Sequence, residues 1–343
     1  MVIIKNLELK LTKHAYKKAF HIAHSAKSTT ENILVKLTYD NGIIGIGEAS
    51  PSYRVNGEIA SVLPNYEKPI KEILHGMDGR KYGKIFEKTE FLSKTSSSLK
   101  AAIQYAALDA FSKYCNTSVH EILGGKKEYV ETDYTVSIGT TEESVKEAKE
   151  LFNKGYQIIK LKVGEDIKAD IERIRAIAEA VPETEFIIDA NTGYTAKQSI
   201  YFADILYRDN IPVLVFEQPT PVNDTEGMKL VRNNSKFPVA ADESVRSKYD
   251  AHRLIKENAL DFINIKLMKT GITDALNIIE MAKTASINLM IGCMAESGIG
   301  ISQSIHLAAG TGAFIYHDLD SHMLLKDTKE HNFKQDINKL YPI

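Results

Sequence analysis

Cysteine is scarce in this chain: Cys115 and Cys293 are the only two among 343 residues. Two thiols cannot make a disulfide framework, so a reducing, cytoplasmic setting is expected. Long apolar runs are also missing. No stretch approaches the roughly 18 residues that a membrane span needs. The N-terminal stretch "MVIIKNLELKLTKHAYKKAF" has neither the apolar core nor the cleavage site of a signal peptide. Excess charge is absent as well. The 43 basic and 45 acidic residues leave a net charge of −2, so no electrostatic footprint for nucleic acid exists. What remains is a globular composition, 43% hydrophobic and 26% charged. Its length suits one large α/β barrel with an attached domain.

The first 125 residues read as an α+β unit. "VIIKNLELKL" and "NILVKLTYDNGIIGIGEAS" predict strands, with Asn41-Gly42 as a turn. "SSSLKAAIQYAALDAFSKYC" predicts a serine-capped helix with a broad apolar face. From about residue 130 the pattern changes to strand, loop, helix, repeated. The expected strands are "TDYTVSI", "QIIKLKV", "TEFIIDA", "PVLVFEQP", "FPVAADE", "LDFINIKL", "NLMIGCM" and "GAFIYHDL". Amphipathic segments such as "ESVKEAKELFNKG" lie between them, the signature of parallel strands with crossover helices. The boundaries expected are 1–125 for the first domain, 126–318 for a barrel and 319–343 for a C-terminal segment.

The strand ends carry the chemistry. Lys162, Asp189, Glu217, Asp242 and Lys266 follow one another at intervals of 27, 28, 25 and 24 residues. That is the length of one β/α unit, and barrel active sites lie at the C-terminal ends of strands. Asp189, Glu217 and Asp242 end three successive strands. Three converging carboxylates, with no His or Cys among them, suit a hard divalent cation, Mg²⁺ first. One such acid alone is equally well explained as a helix cap or ion-pair partner. Three in succession would repel one another without a cation. Lys162 precedes the trio and Lys266 follows it, which puts the two lysines across the barrel mouth from each other. Such a pair fits an acid and a base on opposite faces of a carbon next to a metal-bound carboxylate. The metal and a second ammonium (Lys160 beside Lys162, Lys269 near Lys266) are expected to lower a lysine pKa toward neutrality. The plainer alternative is that the lysines serve only as ion-pair partners.

Taken together, "KLK" at 160–162, "DAN" at 189–191, "EQP" at 217–219, "DES" at 242–244 and "NIKLMKTG" at 264–271 resemble the enolase superfamily, in its muconate-lactonizing-enzyme subgroup. The resemblance covers nearly the whole chain. It implies an α+β capping domain over a modified (β/α)7β barrel, with the last segment returning to the cap. It also implies Asp189, Glu217 and Asp242 as ligands of one Mg²⁺ per subunit, Lys162 and Lys266 as acid/base catalysts, and Lys160 as partner of the substrate carboxylate. Enolase-type sites use Lys or His bases with Mg²⁺.

"YHDLDSH" places Asp318 and Asp320 beyond the last strand, facing the same side if that strand continues. The pair resembles the DxD motif by which dipeptide epimerases hold the substrate's N-terminal amine. By the same resemblance, backbone carbonyls of Cys293-Met294-Ala295 border that amine, and Thr135 lies near the substrate carboxylate. Alanyl-glutamate epimerases commonly carry an arginine in the first cap loop. Here that loop, "FHIAHSAKSTTEN", has none. His24 and Lys27 are its cations, and Arg54 in "PSYRVNGE" is the alternative. The resemblance therefore implies a homo-oligomeric epimerase of dipeptides, L-Ala-D/L-Glu foremost, acting in peptidoglycan turnover. Competing readings are an N-acylamino-acid racemase, an o-succinylbenzoate synthase, a muconate cycloisomerase, or a barrel that binds a carboxylate without turnover. The Asp318/Asp320 pair argues against the other enzymes, and the retention of both lysines argues against the last.

Overall fold

The computed structural model describes residues 2–22, 25–326, 328–329 and 331–343. Alternating apolar residues build a three-stranded antiparallel sheet from β1 (Ile4–Ile22), β2 (Ser25–Tyr39) and β3 (Ile44–Ala49). Helices α1 (Glu67–Leu74), α2 (Tyr82–Thr89), α3 (Ser97–Cys115) and the short α4 (Val119–Ile122) complete this part. α3 rests on β3 at backbone distance. Gly45 and Gly47 alternate onto the covered face, where an added Cβ would lie 1.9 Å from the Ala106 carbonyl oxygen or 2.1 Å from that of Ala102.

A short strand, β4 (Val130–Glu131), leads into the repeating part. There the strands are β5 (Tyr134–Val136), β6 (Ile158–Lys162), β7 (Glu185–Asp189), β8 (Val213–Glu217), β9 (Val239–Ala241), β10 (Phe262–Ile265), β11 (Asn288–Gly292) and β12 (Tyr316–Asp318). They form one eight-stranded parallel sheet in sequence order. Seven helices connect them: α5 (Thr141–Asn153), α6 (Ile167–Ala180), α7 (Ala196–Arg208), α8 (Thr225–Asn234), α9 (Lys248–Lys256), α10 (Leu267–Thr284) and α11 (Gly298–Thr311). Side chains start these helices. Thr140 with Glu143, and Thr195 with Gln198, form reciprocal capping boxes, and Asp166 caps α6. Ile187, Val215, Ala240, Phe262 and Met290 fill the barrel interior below the site.

Among the described residues no strand ladder joins β5 to β12. Separate bonds close this seam. The Asp133 N–H donates to the His317 carbonyl (2.9 Å) and the Leu319 N–H to the Thr132 hydroxyl (2.8 Å). The Thr135 N–H donates to the Asp320 carboxylate (2.6 Å). After the turn α12 (Ser321–Leu324), β13 (Phe333–Asp336) pairs with β14 (Lys339–Pro342), which in turn pairs with β4. This last segment touches the N-terminal part at two places: the Lys326 N–H donates to the Ala15 carbonyl (2.7 Å), and the Asn332 amide to Asp109 (3.2 Å). Among the described residues no helix is long and apolar enough to cross a membrane.

Candidate active site

The inward positions of neighbouring strands converge because side chains alternate along each strand. On β6 the alternation turns Lys160 and Lys162 inward, on β7 Asp189, on β8 Glu217. Asp242 follows β9 directly. Lys266 is the residue between β10 and α10, so the strand expected to run to Leu267 stops at Ile265. The backbone after two of these strands is left-handed at non-glycine residues: φ is +42° at Asn191, +69° at Thr192 and +36° at Gln218. Such strain persists where surrounding bonds hold it. Here the Gln218 side-chain oxygen accepts from the N–H groups of Asp242 and Ser244 (2.9 and 3.1 Å), which fixes the loop carrying Asp242.

The structure brings the three expected ligands together. A carboxylate oxygen from each of Asp189, Glu217 and Asp242 lies within 4.8 Å of the others, and all three side chains are buried. Lys162 pairs with Asp189 at 2.6 Å and Lys266 with Asp242 at 2.7 Å, so the two lysines flank the trio. Lys269 pairs with the other Asp242 oxygen at 2.5 Å. Among the described residues Glu217 has only Lys160 as a cationic partner, at 2.7 Å, and that oxygen lies outside hydrogen-bond geometry. Its second oxygen accepts from Asn264 at 2.7 Å. Burial, then Asp189, push the Glu217 carboxyl up to about 8 against the pull of Lys160. Asp189 and Asp242 are held below the usual carboxylate range. Burial opposes this, and their lysine neighbours prevail.

Lys160 is enclosed by carboxylates. Its ammonium is fully buried, at 2.7 Å from Glu217, 2.7 Å from Asp318 and 3.1 Å from Asp189. Burial lowers its pKa, but the carboxylates of Asp318, Glu217, Asp189 and Asp133 raise it well above the ordinary value. In this arrangement Lys160 is a counter-ion beneath the site and does not line the cavity above it. The Lys266 pKa answers to a similar balance among the protein's own groups. Burial lowers it, but Asp242 and Glu217 overcome burial and hold it above the ordinary range.

The cavity over the trio has a volume of about 140 Å³. Lys162, Lys266, Thr135, Asp318, Asp320, Cys293 and Ala295 all line it. Asp318 and Asp320 approach each other around a bend rather than along a continued strand, since β12 ends at Asp318. Asp318 accepts from Lys160 through one oxygen (2.7 Å) and from the Thr135 hydroxyl through the other (3.4 Å), and Asp320 accepts from the Thr135 N–H (2.6 Å) and the Cys293 thiol (4.0 Å). Their oxygens and the Cys293 sulfur lie within 4.8 Å of one another. Lys160 keeps Asp318 below the usual range despite burial. Burial and the neighbouring Asp318 push Asp320 up to about 6. Asp320 therefore lacks a cationic partner of its own among the described residues. The Ala295 carbonyl accepts from Asn32 and Ser50 of the cap, both at 3.0 Å.

The cap roofs the cavity with Tyr16 and Phe20 from β1 and with Arg54 and Val55 from the loop after β3. Arg54 is exposed and has no carboxylate partner among the described residues. His24 lies outside the described residues, as does the Lys27 side chain. Sequence reasoning missed Asn264, Gln218 and Glu243. The Asn191 amide donates to Glu243 at 3.1 Å, and Glu243 lines the cavity. A signal was available for Asn264: it is a polar residue two positions before Lys266, on the same inward face.

The donor set fits a divalent ion. It is all oxygen, it is buried, and its least compensated member holds an oxygen without a hydrogen bond.

A capped parallel barrel with a carboxylate trio between two lysines defines a class of enzyme that removes a proton beside a carboxylate. Comparison with known proteins names the family. Residues 6–124 match the mandelate racemase / muconate lactonizing enzyme N-terminal domain, and residues 143–338 match the enolase C-terminal domain-like family. The chain belongs to the enolase superfamily. It is 50% identical over 324 residues to the L-Ala-D/L-Glu epimerase of Thermotoga maritima, covering 94% of each chain. A substrate-liganded structure of the L-Ala-D/L-Glu epimerase from Bacillus subtilis superimposes with a TM-score of 0.96 at 30% identity, covering 99% of this chain and 96% of that one. The dipeptide epimerase of Enterococcus faecalis V583, complexed with Mg and the dipeptide L-Leu-L-Tyr, gives a TM-score of 0.94 at 32% identity, with 99% and 97% covered.

Proposed function

We propose that this chain is a Mg²⁺-dependent dipeptide epimerase that inverts the α-carbon of the C-terminal residue, with L-Ala-D/L-Glu as its preferred pair. The observation that carries the reading is the placement of Lys162 and Lys266 on two sides of the carboxylate trio, each bonded to a different carboxylate and both lining one cavity. Asp189, Glu217 and Asp242 hold the ion. Bound there, it would supply positive charge beside the substrate carboxylate.

The rest is the work of this chain. One lysine removes the α-proton, and the other returns a proton to the opposite face. Asp318 and Asp320 receive the N-terminal ammonium, which is the cationic partner Asp320 lacks. Thr135 borders them. Arg54 is placed in the roof to meet a distal carboxylate. Two thiols and no disulfide suit a reducing, cytoplasmic compartment, where peptides from cell-wall turnover would be the substrates. Assembly of several copies, usual for such barrels, belongs to the same reading.

Two comparisons test it. N-acetyl-L-Ala-L-Glu should be a poorer substrate than the free dipeptide by a factor of a hundred or more, as an unpaired buried carboxylate costs about 3 kcal/mol or more. Equal rates would point instead to an N-acylamino-acid racemase. Arg54→Ala should lower kcat/KM for Ala-Glu about tenfold and leave Ala-Leu unchanged, since a charge-assisted contact contributes about 1.5–3 kcal/mol. If both substrates respond alike, Arg54 does not read the side chain. The apolar neighbours Phe20, Val55 and Leu324 would then favour a permissive roof.

A further inference from the structure

The opposite end of the barrel holds a second cavity, of about 570 Å³, that the proposed reaction does not use. Its deepest polar group is Asp133. Thr135 points inward to Asp318, and Asp133 lies two residues earlier on the same face, one layer lower. There it takes the place of an apolar residue, alongside Ile158 and Ile187 of the floor. Asp133 is 3% exposed, and neither of its carboxylate oxygens has a hydrogen-bond partner among the described residues.

His317, 6% exposed, lines the same cavity. Its Nδ1 faces the Glu131 carbonyl at 3.1 Å, so Nδ1 carries the proton and Nε2 is an acceptor. Nε2 also has no partner among the described residues. These three buried atoms meet no donor among the described residues, and burial, Asp318 and Asp320 push the Asp133 carboxyl well above the usual range against the pull of Lys160. Glu128, Glu131 and Glu185 add carboxylates at the exposed rim, whereas the Lys127 ammonium is engaged by the Phe314 carbonyl at 3.2 Å. Buried acceptors without donors are rare in folded proteins and point to a missing partner. A primary ammonium ion would supply N–H donors to all three and the positive charge that keeps Asp133 ionised.

We propose that the N-terminal mouth of the barrel is a second binding site, for a small primary ammonium ion, with Asp133 as its anchoring carboxylate. A tetraalkylammonium ion of the same charge offers no N–H donor and should not replace it.

Titration calorimetry at constant ionic strength, with n-propylammonium chloride as the probe, tests this. Saturable binding is expected to the unaltered protein and to Asp320→Asn, in which the upper amine site is impaired. It should weaken at least tenfold in Asp133→Asn. In Gln157→Trp it should also weaken, because Gln157 is an exposed residue on the rim of the lower cavity and can be changed without touching the core. Tetramethylammonium should give no saturable heat. Absence of binding to the unaltered protein would overturn the proposal. So would loss of binding in Asp320→Asn with retention in Asp133→Asn, which would move the ion to the upper site. Unchanged binding in Gln157→Trp would overturn it even if Asp133→Asn failed to fold. None of these readings depends on turnover, so they stand apart from the epimerase assignment.

Discussion

Glu217 is the least compensated acid of the trio, with one ammonium partner where Asp189 and Asp242 each have two. Replacing it by Gln keeps its shape and removes the repulsion. Glu217→Gln should lower epimerisation by about a thousandfold or more, as a lost metal ligand forfeits several kcal/mol of transition-state stabilisation. In chelator its melting temperature should equal or exceed that of the unaltered protein. Millimolar Mg²⁺ should raise the melting temperature of the unaltered protein but not that of the variant. An equal Mg²⁺ response in both would remove Glu217 from the ligand set. At this scale the acids were legible because each ends an apolar run at one β/α interval. Lys160 was legible as a charge but not in its carboxylate partners. Whether a strand-end lysine reaches a cavity or is enclosed by carboxylates depends on partners more than a hundred residues away, such as Asp318. Gln218 and Asn264 escaped notice for the same reason: their meaning lies in what they hold, not in their type.

Among the elements, β3 and α3 show how the cap is held together. The run Gly45-Ile46-Gly47 exposes backbone on alternate positions, and α3 covers it with Ala102, Ala106 and Ala110. Gly47→Ala would bring a methyl against the Ala102 carbonyl and should destabilise by about 1–3 kcal/mol or more, read as a lower melting temperature. No change would mean that α3 is free to shift away. The strands and helices of the barrel were legible from periodicity and from cap residues such as Thr140 and Thr195. Their ends were less so. "LDFINIKL" reads as strand through Leu267, yet the chain turns at Lys266, where α10 begins. Nor does the seam between β5 and β12 have a local signature. It is closed by Thr132 and Asp320, whose side chains bond backbone groups far away in sequence.

Across the whole molecule, His306 ties three segments. Its Nδ1 accepts from the His120 N–H (3.0 Å) and its Nε2 donates to the Asn332 carbonyl (2.8 Å), so only the neutral ring fits. Burial, more than neighbouring His120 and His331, depresses its pKa to about 4, while Asp109 and the Asn332 carbonyl act the other way. A depressed histidine pKa stabilises the fold fully above the unfolded value of 6.5, and this contribution is lost as the pH falls toward 4. It amounts to about 3 kcal/mol. The unaltered protein should therefore melt above His306→Phe by a margin that narrows between pH 7 and pH 4.5. A constant margin would show that packing, not protonation, is what the substitution removes.

The central claim is that Lys162 and Lys266 work on opposite faces of one α-carbon. Proton NMR of L-Ala-L-Glu and L-Ala-D-Glu in D₂O, with Lys162→Ala and Lys266→Ala, tests it most directly. Neither variant should epimerise. Each should still exchange the α-proton of one diastereomer with solvent, without inversion, and the two should choose opposite diastereomers. Epimerisation at the parent rate by either variant, or exchange of the same diastereomer by both, would contradict the account.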